Sequence, residues 1–149
     1  MMFLPPGIEA AIIAALFGLL VGSFLNVVAA RIPLRRSLVS PGSECMACLT
    51  PLAWYDNVPL LSFALLRGRC RFCQAAIPWR YPLVEATTAL LVAACVLRFG
   101  LTWDAAVGAF FCAALVTISA TDAERHIIPN RIVLPAAAIV LAANTILHP

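Results

Sequence analysis

Lysine is absent from this 149-residue chain, and all ten basic side chains are arginine. Charge of either sign is scarce. Charged residues make up 11% of the chain, against about 25% in an ordinary soluble domain. Despite a net charge of +3, this leaves no domain-wide basic face of the kind that binds nucleic acid. No two of the seven glycines are separated by a single residue. A glycine-rich nucleotide loop in its strand–turn–helix context is therefore missing. Residues 1–7 hold no arginine, so the positive n-region of a cleaved signal peptide is missing too. The first apolar run is predicted to be a retained helix. No internal repeat is visible.

What fills the chain instead is apolar: 63% of residues, with a mean hydropathy of +0.98. This is the composition of an integral membrane protein. Four segments are predicted to span a bilayer, at 8–30, 81–97, 103–120 and 132–147. A span takes about 20 apolar residues, with a range of roughly 17–25. The first is interrupted only by small residues and by Glu9, Ser23 and Asn26; the second and fourth are the shortest.

Arginine placement predicts orientation. Arg31, Arg35, Arg36, Arg67, Arg69, Arg71 and Arg80 lie between spans one and two, and Arg125 and Arg131 between spans three and four. Only Arg98 lies between spans two and three. Positive loops stay cytoplasmic, so the N-terminus is predicted outside and both arginine-bearing connections inside.

The long connection carries Cys45 and Cys48, then 21 intervening residues, then Cys70 and Cys73. In a reducing compartment structural disulfides are rare. Two C-x2-C pairs at about this separation are the pattern of a tetrathiolate zinc site, and four soft ligands close the tetrahedral shell of a structural Zn²⁺. A redox dithiol pair and unbound thiols are the competing readings. Arg69 and Arg71 flank Cys70 and are expected to offset the negative charge of such a site. Trp54, Tyr55, Leu60, Leu61, Phe63 and Phe72 are expected either to form a small core or to lie against the membrane. Cys95 and Cys112 fall within spans and read as small apolar residues.

With this topology, Ser23, Asn26, Glu85, Asp122 and Asn130 fall at similar depth, near the cytoplasmic ends of the spans, and Asp122 directly follows the third. Ionisable groups in spans are costly and face a bundle interior or a cavity; simple solvation at the interface is the other reading. Two neighbouring carboxylates can share a proton and activate water, and Asp122 is a candidate for one of a pair.

Four stretches carry a resemblance. They are GSFLNVVAARIP (22–33), the cysteine loop CMAC…WYDNVPLLSFALLRGRCRFC (45–73), RYPLVEATTALL (80–91) and TDAERHIIPNRIVLP (121–135). In this order they resemble the type IV prepilin peptidases, bacterial inner-membrane enzymes of about eight spans. The resemblance implies a multi-pass inner-membrane aspartic endopeptidase. Such an enzyme removes leaders from type IV prepilins and type II secretion pseudopilins at the cytoplasmic face. It also implies N-methylation of the new terminus with S-adenosylmethionine. Asp122, followed by Ile128, Pro129 and Asn130, resembles the family's first catalytic aspartate. Cys45, Cys48, Cys70 and Cys73 match its tetracysteine loop, and Gly22, Ser23, Asn26 and Glu85 match motif positions around the site. The second catalytic aspartate of the family lies in a Gly-x-Gly-Asp motif, which these residues do not contain. The resemblance therefore covers the family's N-terminal half, as expected of a fragment or of a truncated gene product.

The sequence thus predicts an all-α, polytopic membrane bundle with about four transmembrane helices and a small zinc-stapled cytoplasmic loop. Residues 1–30 form the first helix, 31–80 the tetracysteine loop, and 81–149 three further helices bearing the aspartate motif. The expected partners are prepilin and pseudopilin substrates and the lipid bilayer, with no nucleic acid. Two other functions fit the same residues: a non-cleaving zinc-stapled module that binds pilin-like stems, and methyl transfer alone.

Overall fold

The computed structural model describes residues 6–40 and 42–147. In chain order these form α1 (Pro6–Arg31), a 3-10 turn (Trp54–Asn57), α2 (Leu61–Leu65), α3 (Arg80–Phe99), α4 (Trp103–Arg125) and α5 (Asn130–Leu147). No strand occurs among the described residues. The chain is a multi-pass membrane protein. Its four long helices, α1, α3, α4 and α5, are each long and apolar enough to cross a membrane.

Close backbone approach sets how α1 meets α3. A Cβ on Gly18 would lie 2.7 Å from the Ala89 Cα, and one on Gly22 would lie 2.7 Å from the Glu85 Cα. Two glycines four residues apart present one bare face, which lets helices pack closely without a hydrophobic driving force. One turn further on, the Asn26 Nδ2 donates to the Tyr81 carbonyl at 3.1 Å. Gly18–Ala89, Gly22–Glu85 and Asn26–Tyr81 are thus successive rungs of one antiparallel contact.

α4 packs on α3 and α1, and α5 packs along α4. Ala29, Val84 and Ala120 form the core where the first three long helices meet, with Leu25 and Val116 against it. Three threonines enter this core self-satisfied. The hydroxyls of Thr88, Thr117 and Thr121 donate to the carbonyls of Val84, Ala113 and Thr117, four residues back. Such back-bonding leaves none of these three hydroxyl donors unpaired.

Helix ends follow local chemistry. At the start of α4 the Thr102 hydroxyl accepts from the Ala105 amide at 3.4 Å. α4 runs on past residue 120, where its apolar run stops, to Arg125. It ends at His126, whose left-handed backbone (φ 52°) returns its amide to the Asp122 carbonyl. Asp122, predicted to follow the third span, therefore lies inside the last turns of its helix. No residue of α5 is buried.

Candidate functional site

The four cysteines come from two turns built alike. In the first, the Cys45 amide donates to Thr50, Leu49 to Cys45 and Leu52 to Ser43; in the second, Cys70 donates to Ala75, Gln74 to Cys70 and Ile77 to Gly68. Each turn is closed by one isolated antiparallel bridge, Glu44–Pro51 and Arg69–Ala76. Leu49 and Gln74 hold equivalent left-handed positions, with φ of 57° and 58°. The chain therefore does contain a repeat, of one backbone knuckle. In sequence it is disguised, because only the cysteines are shared.

The knuckles face each other and bring all four sulfurs within 4.8 Å of one another. The Cys45 and Cys73 sulfurs are 3.7 Å apart. A tetrahedral zinc with Zn–S bonds of about 2.3 Å needs sulfur–sulfur edges of about 3.8 Å. Donor type, number and spacing all fit a metal ion of this kind, held by Cys45, Cys48, Cys70 and Cys73.

The thiols are not equivalent. The Thr50 hydroxyl and amide favour the thiolate and bring Cys48 down to about 6. The Phe72 and Cys73 amides lower Cys70 in the same way. The Ala75 amide also pulls Cys73 down, but lost solvation and the crowding sulfurs of Cys48, Cys70 and Cys45 outweigh it and push this thiol up to about 11. Several thiolates at one point repel one another until a cation joins them.

Arg71 does not serve the sulfurs as expected. Its guanidinium forks onto Asp56, with Nη2 at 2.6 Å and Nε at 3.0 Å from Oδ1, and it lies over the Tyr55 ring. Asp56 is buried and needs that partner. The pair ties the 3-10 turn to the second knuckle. Arg69 is exposed and remains beside Cys70.

A second cluster lies at the loop-side end of the bundle, where α1 and α4 finish and α3 begins. Gly22, Ser23, Asn26 and Glu85 meet there. The Ser23 hydroxyl lies beside the Glu85 carboxylate, and Glu85 Oε2 accepts from the Leu60 amide at 2.8 Å. Leu60 is in a left-handed conformation (φ 57°), unusual for a branched residue. The Oδ1 of Asn26, a buried residue, has no hydrogen-bond partner among the described residues.

Asp122 and Asn130 make no hydrogen bond to that cluster among the described residues. Both are exposed, whereas Pro129 is buried. Arg80 at the start of α3 pairs with Glu124 at the end of α4 and so clamps the two helices next to Asp122. The Asp122 carboxylate itself has no ion-pair partner among the described residues. Near it, Ile32, Pro33 and Arg35 face Ile127–Arg131 across an open groove.

Gly18 could have been found from its four-residue spacing to Gly22. The partnerships Leu60–Glu85, Asp56–Arg71 and Arg80–Glu124 have no sequence signal, because each joins residues distant in the chain.

The profile described as Bacterial Peptidase A24 N-terminal domain matches residues 16–99, from within α1 to the end of α3. A protein of Myxococcus xanthus named prepilin leader peptidase/N-methyltransferase is 46% identical, over 84% of this chain and 37% of its own length. Proteins of the same name from Pseudomonas aeruginosa and Bacillus subtilis are 38% and 37% identical, over 87% and 80% of this chain and 52% and 48% of theirs. The chain spans about half the length of these curated relatives, or less. No solved structure matches it.

Proposed function

The chain belongs to the bacterial peptidase A24 family, the prepilin leader peptidase/N-methyltransferases, and from that premise we propose that it carries the first catalytic half of an aspartic endopeptidase. Its substrates are the leaders of type IV prepilins and pseudopilins, cut at the cytoplasmic face of the inner membrane. The N-terminus lies outside, residues 31–80 are the cytoplasmic metal loop, and residues 81–149 bear the aspartate motif.

The observation that carries this reading is the state of Asp122. It is an exposed carboxylate with no ion-pair partner among the described residues, at the end of a helix clamped by Arg80–Glu124. The other acids at this end are committed, Glu85 to Leu60 and Glu124 to Arg80. In an aspartic peptidase one carboxylate accepts a proton from water while its protonated partner polarises the scissile carbonyl. Asp122 suits one of these roles. The other belongs to an aspartate in a Gly-x-Gly-Asp motif, by resemblance. Gly22, Ser23, Asn26, Glu85, Pro129 and Asn130 form the neighbourhood that shapes the site.

The metal is Zn²⁺ and its role is structural, since four thiolates leave no open position for water. Bound there, it neutralises the sulfurs and fixes the two knuckles against each other. The methyl donor fares differently. The grooves at the helix ends are open and lined by Arg35, Arg36 and Arg131, which is no enclosure for a nucleoside.

A second reading follows from Asp122 having no second aspartate beside it among the described residues. On its own, this stretch holds a pilin-like stem without cutting it. Incubating the 149-residue polypeptide with a prepilin in detergent, with and without a polypeptide bearing Gly-x-Gly-Asp, separates the two. Cleavage is expected only with the second polypeptide, and is abolished by Asp122→Asn. Robust cleavage by the 149 residues alone, or cleavage that survives Asp122→Asn, overturns the assignment of Asp122.

A further inference from the structure

Cys95 and Cys112 have no part in the metal centre or in the site around Asp122. Both are free thiols, Cys95 buried in α3 and Cys112 half-buried in α4. The packing of α4 on α3 brings them together. A Cβ on Gly108 would lie 3.4 Å from the Cys95 sulfur, so Cys95 points at α4 where a glycine leaves its side open. Cys112 stands one turn beyond Gly108, on the same face of α4. Its thiol is a hydrogen-bonding neighbour of the Cys95 thiol. Side chains on a helix lean toward its N-terminus. α3 enters the short link between the two helices and α4 leaves it, so Cys95 leans away from the link and Cys112 toward it. The two side chains converge.

We propose that Cys95 and Cys112 form a redox-modification site, closing into a disulfide between α3 and α4 with a lipid-soluble quinone as the oxidant. In this step each thiol gives up one proton and one electron and the S–S bond forms. The quinone takes up both protons and both electrons and leaves as the quinol.

The number of donors favours a disulfide over a metal. Among the described residues no further histidine, cysteine or carboxylate joins the pair in a metal-type cluster. A disulfide needs the two backbones close, and the bare side of Gly108 permits that approach. The surroundings select the oxidant. Both thiols lie inside helices that are long and apolar enough to cross a membrane, where charged oxidants do not enter and a quinone dissolves. Cys95 is four residues from the Phe99 end of α3, about 6 Å at 1.5 Å per residue. On the orientation proposed above, that end faces the outside, where disulfides persist. Only this last point rests on that orientation. Asp122 lies ten residues further along α4 than Cys112, about 15 Å, so the bond staples the helix that carries the carboxylate without touching it.

The test uses the zinc-loaded 149-residue chain in nanodiscs. Discs are open on both faces, so the result is independent of orientation. A fully substituted short-chain ubiquinone is added without oxygen, remaining thiols are alkylated, and peptides are mapped without reduction. The expected product is a linked Cys95–Cys112 peptide, split by dithiothreitol, with one quinol formed per disulfide. Cys95→Ser and Cys112→Ser should each abolish the link and the quinol. Cys95 and Cys112 recovered as separately alkylated peptides overturn the proposal. So does a link from either one to another cysteine or to a second chain. Tetrathionate, a charged water-soluble oxidant, should form the same bond more slowly than the quinone, and an equal or faster rate overturns the lipid-borne route.

Discussion

The amide of Leu60 donates to the carboxylate of Glu85 at 2.8 Å, and this bond joins the metal loop to the helix bundle. Removing the acceptor leaves a partly buried amide unpaired, at about 1–3 kcal/mol. Glu85→Ala is therefore expected to loosen α2. Limited proteolysis or amide exchange over residues 60–66 reads this, and Glu85→Gln, which keeps a carbonyl acceptor, should be milder. Equal protection in wild type and Glu85→Ala would show that the bond contributes nothing.

Gly22 predicts a packing effect of different origin. Any side chain there meets the Glu85 backbone 2.7 Å away, and backbone cannot rotate aside as a side chain can. Overpacking of this kind costs typically about 1–3 kcal/mol. Gly22→Val should lower the thermal midpoint in detergent, and Gly108→Val should do so less, because its nearest neighbour is the Cys95 sulfur at 3.4 Å. The opposite ranking would contradict the α1–α3 register.

The thiols give a reactivity order. In the metal-free chain the Thr50 hydroxyl and amide bring Cys48 down to about 6, while, against the Ala75 amide, lost solvation and the neighbouring sulfurs push Cys73 up to about 11. At pH 7 the first is mostly thiolate and the second mostly thiol, and the thiolate is the nucleophile. Iodoacetamide at pH 7 should therefore label Cys48 faster than Cys73 by peptide mapping. Zinc should protect all four cysteines.

Acid should undo that protection. A metal held by thiolates is released as protons compete for them, so retention is full at high pH and fails as pH falls. The lowered Cys48 works in the same direction: its stabilisation is complete above its ordinary value of 9.0 and fades as pH drops towards about 6. Metal content measured across a descending pH series should decline, and Cys70→Ser should hold less metal at every point. Metal content independent of both would remove the cysteines as ligands.

Topology is checked by reporter fusions. A cytoplasmic signal is expected at Ser43 and an external one at Gly100, following the arginine distribution. The reverse pattern would put the cysteines in an oxidising compartment and undercut the case for free thiols.

The four long helices were legible because run length and apolarity suffice to define them. α4 exceeded its apolar run because helix continuation needs only backbone bonding and a cap. His126 supplies a left-handed cap without glycine, a signal that sequence rules for glycine miss. The cysteine spacing exposed the metal-binding residues, yet not the paired knuckles, whose likeness lies in main-chain hydrogen bonds. The destination of Arg71 was misjudged for a related reason. Asp56 lies fifteen residues away and becomes its neighbour only after the loop folds. Gly22, Ser23, Asn26 and Glu85 converge in space, whereas Asp122 and Asn130 remain outside their hydrogen bonds; sequence depth fixes height along the bundle, not position around it.

The three rungs Gly18–Ala89, Gly22–Glu85 and Asn26–Tyr81 have one more consequence. They hold α1 and α3 in step through contacts between the helices themselves, so the length of the intervening chain plays no part in setting their register. The loop is a detour between two fixed posts. Insertions or deletions in its exposed stretches leave the posts where they are, which makes the knuckle region an exchangeable cassette: it can be enlarged, trimmed or grafted while the helix pair beneath keeps its alignment.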